Sequence, residues 1–315
     1  MGLTNFPHGI TSFGVPVIGA TNMIPVTTGS YFWVDSNTGL SGNTGKDKTK
    51  PLATIAQALL KCMANKGDVI VCMPGHAETI TAAGGITINV AGVQIIGLGE
   101  GSLRPTITYT TAATGTLLMT AANCKLKNFI LRANFADVAG AIVVSGTDCS
   151  IEDCLFSEAA TDMNFLTCIK TGAVANGADG LKIIRNERIS IDAAALAFVS
   201  ILEATNRLVI ADNFDNQSSA ADIGHFIILG AFTVLGARIV KNVLNLNGDN
   251  SAQTVGVFMT GSSISCTGIV AYNLVNNLDA TTEIFDTATL DFGHFVNYMT
   301  GAIAKSGYLL PAADA

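Results

Sequence analysis

The sequence of 315 residues predicts an all-β protein wound as a single parallel β-helix. Three observations support this class. A five-residue frame, apolar-x-Asn/Asp-x-apolar, recurs along the chain; each copy follows another short apolar run; and glycine is abundant (32) whereas tryptophan occurs once. Many short strands joined by tight turns suit this composition better than a helical bundle does.

The recurring frame marks the coils. It is clean at 126–130, 151–155, 210–214 and 240–244, and degraded around Asn186 and Asn273, with Arg188 where an apolar residue is expected. The spacing varies from 25 residues (Asn128 to Asp153) to 33 residues (Asp153 to Asn186), as loop insertions in a solenoid allow. Asx residues accept a left-handed turn conformation and can bond one another between coils. We therefore predict a turn ladder formed by Asn128, Asp153, Asn186, Asp212, Asn242 and Asn273.

Four segments follow one another in the predicted organisation. Residues 1–30 form an extended attachment arm, 31–66 an entry strand and capping helix, 67–292 the β-helix and 293–315 a carboxyl-terminal cap segment. The helix is predicted over Pro51–Met63, with proline at its start and apolar residues at helical spacing. We expect it to cover the open apolar end of the first coil.

The arm contains no Lys, Arg, Asp or Glu, and its three prolines disfavour an independent fold. An uncharged apolar segment of this kind is expected to lie on another surface. We predict that the arm makes this contact through Phe6, Ile10, Phe13, Val17 and Ile24.

Two other fold classes explain the pattern less well. A two-sheet sandwich requires frequent hairpin signals, and few Asn-Gly or Asp-Gly pairs separate consecutive strands. An α/β fold requires a helix after each strand, and only one convincing helix precedes the repeats.

Charge and hydropathy exclude several classes of partner. The net charge of −7 gives no cationic surface for a phosphate backbone, so we expect no nucleic-acid partner. The longest apolar stretch, 226–237, contains two glycines and is too short to span a bilayer, so no membrane partner is expected. We expect no secretory signal, because the amino end shows no basic region followed by an apolar run. The seven scattered cysteines suit reduced core thiols in a cytoplasm.

Candidate catalytic groups are few. The carboxylates considered are Glu152, Asp153, Glu158, Asp162, Glu203 and Asp212. Asp153 and Asp212 fall in the turn position of the frame, which explains them as turn residues. Glu203 lacks a second acid at matching register, so a role for it in acid/base catalysis is not supported. The four histidines show no His-x-x-x-His pair, and no Cys-x-x-Cys occurs. The sequence predicts no catalytic residue, no cofactor, no metal and no enzymatic activity.

Three stretches together carry a family resemblance: 31–39, beginning Tyr-Phe-Trp-Val-Asp; 50–58, beginning Lys-Pro-Leu-Ala-Thr; and 67–76, ending Met-Pro-Gly-His. They resemble the opening of the right-handed, single-stranded parallel β-helix proteins of the pectate-lyase-like superfamily. The resemblance runs from about Tyr31 to Tyr298 and implies an entry strand, a capping helix and a first coil. It implies little about function, because polysaccharide lyases, epimerases, phage tailspikes and virion surface proteins share this opening.

The first residues, Leu3 to Gly14, are similar to the amino ends of tailed-phage structural proteins. Together the two resemblances imply a virion protein that decorates and cements a capsid, bound to the major capsid protein on the virion surface after synthesis in the host cytoplasm. Apolar residues at outward positions of 141–144 and 226–229 favour a homotrimer. The alternatives are a tailspike-type receptor-binding protein or polysaccharide depolymerase, and a free polysaccharide lyase.

Overall fold

The protein is a right-handed parallel β-helix, which confirms the predicted fold class. The computed structural model describes residues 11–12, 15–16, 24–192, 194–218, 224–246, 256–261, 265–277, 284–286, 292–300 and 307–309. Three parallel sheets, named A, B and C in the order in which each coil visits them, form the walls. Within the described residues no helix is long and apolar enough to cross a bilayer.

Each sheet gains one strand per coil, so its strands are distant in sequence. Sheet A contains Tyr31–Val34, Val69–Cys72, Gln94–Gly97, Lys125–Lys127, Ser150–Glu152, Lys182–Ile184, Val209–Ala211, Thr233–Val240, Ser265–Ala271 and Phe292–Phe295, with Thr205–Asn206 paired to Thr233–Val240. Sheet B contains Ala77–Ile80, Thr106–Tyr109, Ile130–Ala133, Leu155–Glu158, Glu187–Ser190, Phe214–Gln217, Val243–Leu246, Leu274–Asn277 and Asn297–Thr300, with Gly307–Leu309 added antiparallel. Sheet C contains Ile86–Ile88, Leu117–Met119, Ile142–Val144, Thr167–Thr171, Ala197–Ile201, His225–Leu229, Gly256–Gly261 and Ile284–Asp286. Strands of sheets A and B therefore continue past residue 292, into the segment predicted as a cap.

The connection from sheet A to sheet B, here called the AB corner, is a tight turn with one residue at positive φ in every coil from Asn128 onward. These residues are Asn128, Asp153, Arg185, Asp212, Lys241, Tyr272 and Val296, with φ between 48° and 62°. A left-handed residue lets the chain change direction sharply, and Asn and Asp adopt it most readily among residues with a Cβ.

Inward side chains of the three sheets form one continuous apolar core. Phenylalanines of successive coils stack in its centre, with ring centroids 5.4 Å apart for Phe198 and Phe226 and 5.0 Å for Phe226 and Phe258. All seven cysteines are free and six are buried, where a thiol packs as a small hydrophobe.

The capping helix is shorter than predicted. It spans Ile55–Leu59 rather than Pro51–Met63 because Leu52 is held in an extended conformation beside Val34, with its N–H donating to the Trp33 carbonyl over 2.8 Å. Thr54 caps the helix, accepting a hydrogen bond from the Gln57 N–H. Its buried residues Ile55, Ala58 and Leu59 join the core at the first coil.

The arm reaches the solenoid at its last residues. Ile24 packs against Val69, Val71 and Ile96 on the outer face of sheet A, and the Tyr31 hydroxyl donates to the Pro25 carbonyl over 2.9 Å. Thr11–Ser12 and Val15–Pro16 pair as two short antiparallel strands. Of the predicted attachment residues, Phe6, Ile10, Phe13 and Val17 lie outside the described residues.

Candidate functional site

A buried asparagine ladder runs along the inside of the AB corner. Asn213 shows its chemistry: its backbone N–H and its side-chain amide both donate to Asn242 Oδ1, over 3.1 and 2.9 Å, and the amide also donates to the Ile183 carbonyl. The same pattern links successive coils, and every member is at most 1% exposed. The ladder consists of Asn186, Asn213, Asn242, Asn273 and Asn297.

The predicted ladder merges two neighbouring positions of the corner. Asn186, Asn242 and Asn273 occupy the buried position, whereas Asn128, Asp153 and Asp212 occupy the preceding residue, which has positive φ. Asn128 instead donates to the carbonyls of Gly97 and Gly99. Asn213 and Asn297 were missed. The available signal was register, because every true member lies at the start of a sheet B strand. Asn186, Asn213, Asn242 and Asn273 directly precede the first strand residue, and Asn297 is itself the first.

The candidate carboxylates are separated by the fold. Glu152 and Asp153 lie on the outer side of sheet A and its corner, Glu158 ends a sheet B strand, and Glu203 follows a sheet C strand. Asp162 and Asp212 are exposed. Glu158 accepts hydrogen bonds from Ser190 Oγ and from two backbone N–H groups, and burial raises the pKa of its carboxyl. Among the residues with described positions, no three His, Cys, Asp or Glu side chains are grouped as metal ligands.

A band of polar side chains crosses the outer face of sheet A. This polar belt comprises Gln94, Lys125, Lys127, Ser150, Glu152, Asp153, Lys182 and Arg185. Gln94, Lys125, Ser150 and Lys182 are direct partners in neighbouring strands and so form one column along the solenoid. Apolar residues flank the belt on the outer face. Val69, Val71 and Ile96 precede it, and Ala211, Val240 and Ala271 follow it, with the exposed Arg238 beside them as the partner of Val209.

Ion pairs between coils fix the belt's geometry. Lys125 Nζ lies 2.8 Å from Glu152 Oε1, and the Arg185 guanidinium contacts both carboxylate oxygens of Asp153, at 2.7 and 3.2 Å. Partial burial opposes ionisation of Asp153, but the hydrogen bond and charge of Arg185, with Lys127, hold the pKa of its carboxyl below the ordinary value. The same hydrogen bond to Asp153 raises the pKa of Arg185. The pairs are partly exposed and hold side chains in place more than they stabilise the fold.

A cavity of about 280 Å³ opens within the belt. Its wall includes Gln94, Lys125, Ser150, Glu152 and Lys182. Asn123 and Asp148 line its other side, where Arg207 pairs with Asp148 over 3.1 Å. Lys182 is exposed and, among the residues that the structure describes, has no carboxylate within 4.0 Å. The cavity thus presents one unneutralised ammonium group beside amide and hydroxyl groups.

Two other cationic places lie away from the belt. Lys170 projects from sheet C, donates to the Ala139 carbonyl over 3.2 Å, and has its pKa lowered by burial. A larger cavity, about 620 Å³, lies at the capped end beside Lys46, Lys61 and Lys66. Its one carboxylate, Asp68, is engaged by the N–H groups of Ser30 and Met63. These three lysines are exposed on loops rather than aligned by strands, so the belt is the better-ordered candidate.

Comparisons with known proteins agree on the fold alone. No family model matches the chain, and no curated protein is similar to it. Two solved structures are similar: a rhamnogalacturonan lyase (12% identity, 90% of each chain, TM-score 0.45) and the pectate lyase Pel9A (14% identity, 92% of this chain and 82% of that one, TM-score 0.46). At these values no substrate or catalytic residue is transferred to this chain. Both neighbours are lyases, however, so the prediction that excluded enzymatic activity is wrong as an exclusion.

Proposed function

We propose that the protein binds an acidic polysaccharide along the polar belt, as a receptor-binding protein of the tailspike type. One observation carries this proposal. Each of four successive coils places a polar or cationic side chain in the same straight column, formed by Gln94, Lys125, Ser150 and Lys182. Strands of one sheet lie about 4.8 Å apart, so a linear polymer along the solenoid meets a hydrogen-bonding group at each step and a lysine at every second step.

The belt offers the chemistry that such a polymer requires. Lys125 and Lys182 can form charge-assisted hydrogen bonds with carboxylates, while Gln94, Ser150 and Asn123 can bond hydroxyl groups. The ion pair to Glu152 keeps the Lys125 side chain on the sheet face, which lowers the ordering cost on binding. The belt's four cationic side chains outnumber its two carboxylates, Glu152 and Asp153. On a chain of net charge −7, this local excess favours an acidic ligand that approaches there.

Binding of polygalacturonate, with dextran as the neutral polymer, tests the proposal. Replacing Lys125→Ala and Lys182→Ala together should weaken binding of the acidic polymer at least tenfold, and added salt should weaken wild-type binding. The matched control, Lys48→Ala with Lys66→Ala, removes the same charge elsewhere and should bind as wild type. Equal losses in both variants, or equal affinity for dextran, would contradict the proposal. Analysis of the incubated polymer for unsaturated ends measures whether cleavage accompanies binding.

A second candidate function is attachment to a capsid, with the major capsid protein as partner and the virion surface as location. It is favoured by the way residues 24–30 are fastened to the first coil: Ile24 packs on sheet A and the Ser30 N–H donates to Asp68. The uncharged arm therefore starts from a fixed point on the solenoid. Deleting residues 2–23 should abolish binding to undecorated capsids while leaving polygalacturonate binding unchanged. If the truncated protein binds capsids with wild-type affinity, the arm is not the attachment segment.

A further inference from the structure

The last coils expose a group of large apolar side chains around the AB corner. We call this the corner patch and define it by Phe214, Ile269, Tyr272, Phe295, Val296 and Tyr298. Tyr272 is 61% exposed, Phe295 52% and Ile269 48%. Strand pairing joins its members. Phe214 is linked through Val243 and Leu274 to Tyr298, which are successive partners in sheet B. Ala271 is the partner of Phe295, so the next residues, Tyr272 and Val296, lie in adjacent coils. An exposed apolar surface of this extent is typical of an interaction site.

The backbone at the patch gives a second, independent observation. Tyr272 and Val296 occupy the left-handed position of the corner, with φ of 58° and 48°, where earlier coils have Asn, Asp, Arg or Lys. A β-branched or aromatic residue adopts this conformation at a cost that asparagine largely avoids. Both side chains are nevertheless largely exposed, Tyr272 to 61% and Val296 to 44%, so burial in the core does not compensate for the unfavourable conformation.

We propose that a second copy of this chain packs side by side against the corner patch. The six defining side chains expose together about 500 Å² of mostly apolar area, judged from the size of such side chains. Half-buried Val243 and Leu274 extend the patch toward the roughly 800 Å² per partner that a stable interface buries.

Charge favours a copy of the same chain as the occupant. The six residues of the patch carry no charge, and the charged side chains beside them cancel in pairs. Asp212 and Lys241 occupy the two preceding corners, while Glu187 is the partner of Phe214 and Arg238 the partner of Ile269. Two chains of net charge −7 repel one another over most of their surfaces. The neutral patch is therefore a surface where copies can approach closely, and burial of the same patch on both partners gives a closed, symmetric contact.

Sedimentation of the full chain over a range of concentrations tests this interface. Tyr272→Asn combined with Val296→Asn should weaken self-association at least tenfold. Because asparagine suits the left-handed conformation, the dilute double variant should unfold at the same temperature as wild type or higher. Tyr272→Phe keeps the apolar ring and should associate as wild type.

The matched control is Leu60→Asn with Val174→Asn, which makes the same apolar-to-polar change at two exposed residues outside the patch. It should leave association unchanged. A wild type that sediments as a monomer at micromolar concentration would overturn the proposal, as would a corner double variant that associates as tightly as wild type. Polysaccharide binding is measured separately and should survive in the corner variant, so failure of one proposal is distinguishable from failure of the other.

Discussion

Asn242 lies in the middle of the buried ladder, where its side chain joins three coils. Its Oδ1 accepts from the backbone and side chain of Asn213, and its amide donates to the Ile210 carbonyl and to Asn273 Oδ1. A single side chain thus serves polar groups of the coils before and after it, none of which water can reach. A buried polar group that loses its partner costs about 1–3 kcal/mol.

Replacing Asn242 by leucine should therefore destabilise the protein by about 3 kcal/mol or more, since several buried groups lose a partner at once. Lys241→Gln, one residue earlier on the exposed side of the corner, should be nearly neutral. Chemical unfolding of both variants measures the difference. Similar losses of stability in the two variants would show that the ladder bonds are not what stabilises the corner.

Glu158 gives a prediction for pH. Burial raises the pKa of its carboxyl above the ordinary value of 4.5. A raised pKa in the folded state means that its contribution to stability is full below the unfolded pKa and is lost as pH rises through the folded pKa. Wild type should therefore lose stability relative to Glu158→Gln as pH rises from about 4 toward neutrality. Thermal unfolding of both proteins across this range provides the test, and a stability difference independent of pH would contradict it.

At the scale of an element, neighbouring coils share a buried ion pair. Arg188 and Asp215 occupy partner positions of adjacent sheet B strands and point into the core, where both Arg188 Nε and Nη2 lie 2.6 Å from Asp215 oxygens. Gln217 donates to the same carboxylate over 3.0 Å, and the Phe198 ring lies beside the guanidinium. The five-residue repeat predicts an apolar residue at position 188. The buried pair with Asp215 explains why arginine can occupy that core position instead.

Asp215→Leu alone should destabilise the protein by about 3–5 kcal/mol, because it leaves a buried guanidinium without its counter-charge. Arg188→Met combined with Asp215→Leu should recover most of that loss, since the core then becomes continuous and apolar. Denaturant unfolding of the single and double variants measures the recovery. A double variant as unstable as the single one would mean that the pair has a role beyond mutual neutralisation.

At the scale of the whole molecule, the sequence predicts the architecture better than it predicts the site. The frames around Asn242 and Asn273 report the coil repeat directly, because a solenoid presents the same local turn to each copy of the frame. The sequence alone does not show whether Asp212 or Asn213 belongs to the buried ladder, because both are Asx residues. Only the strand register shows that Asn213 faces the core.

The polar belt could not be found from the sequence because its contacts join different coils. Arg185 and Asp153 are 32 residues apart in the chain, with nothing local that marks them as partners. Lys125 and Glu152 read along the chain as ordinary solvated charges, and they become a pair only when sheet A places their strands side by side. Coil lengths that vary with loop insertions hide this register until the strands are assigned.

The central claim, that an acidic polysaccharide lies on the polar belt, is tested most directly by lysine footprinting. The folded wild type would be acetylated with and without saturating polygalacturonate, and the modification of each lysine measured by mass spectrometry. We predict protection of Lys125, Lys127 and Lys182, with Lys46, Lys61 and Lys66 at the capped end and Lys170 on sheet C unchanged. Protection at the capped end or at Lys170, with the belt lysines modified as in the free protein, would contradict the account.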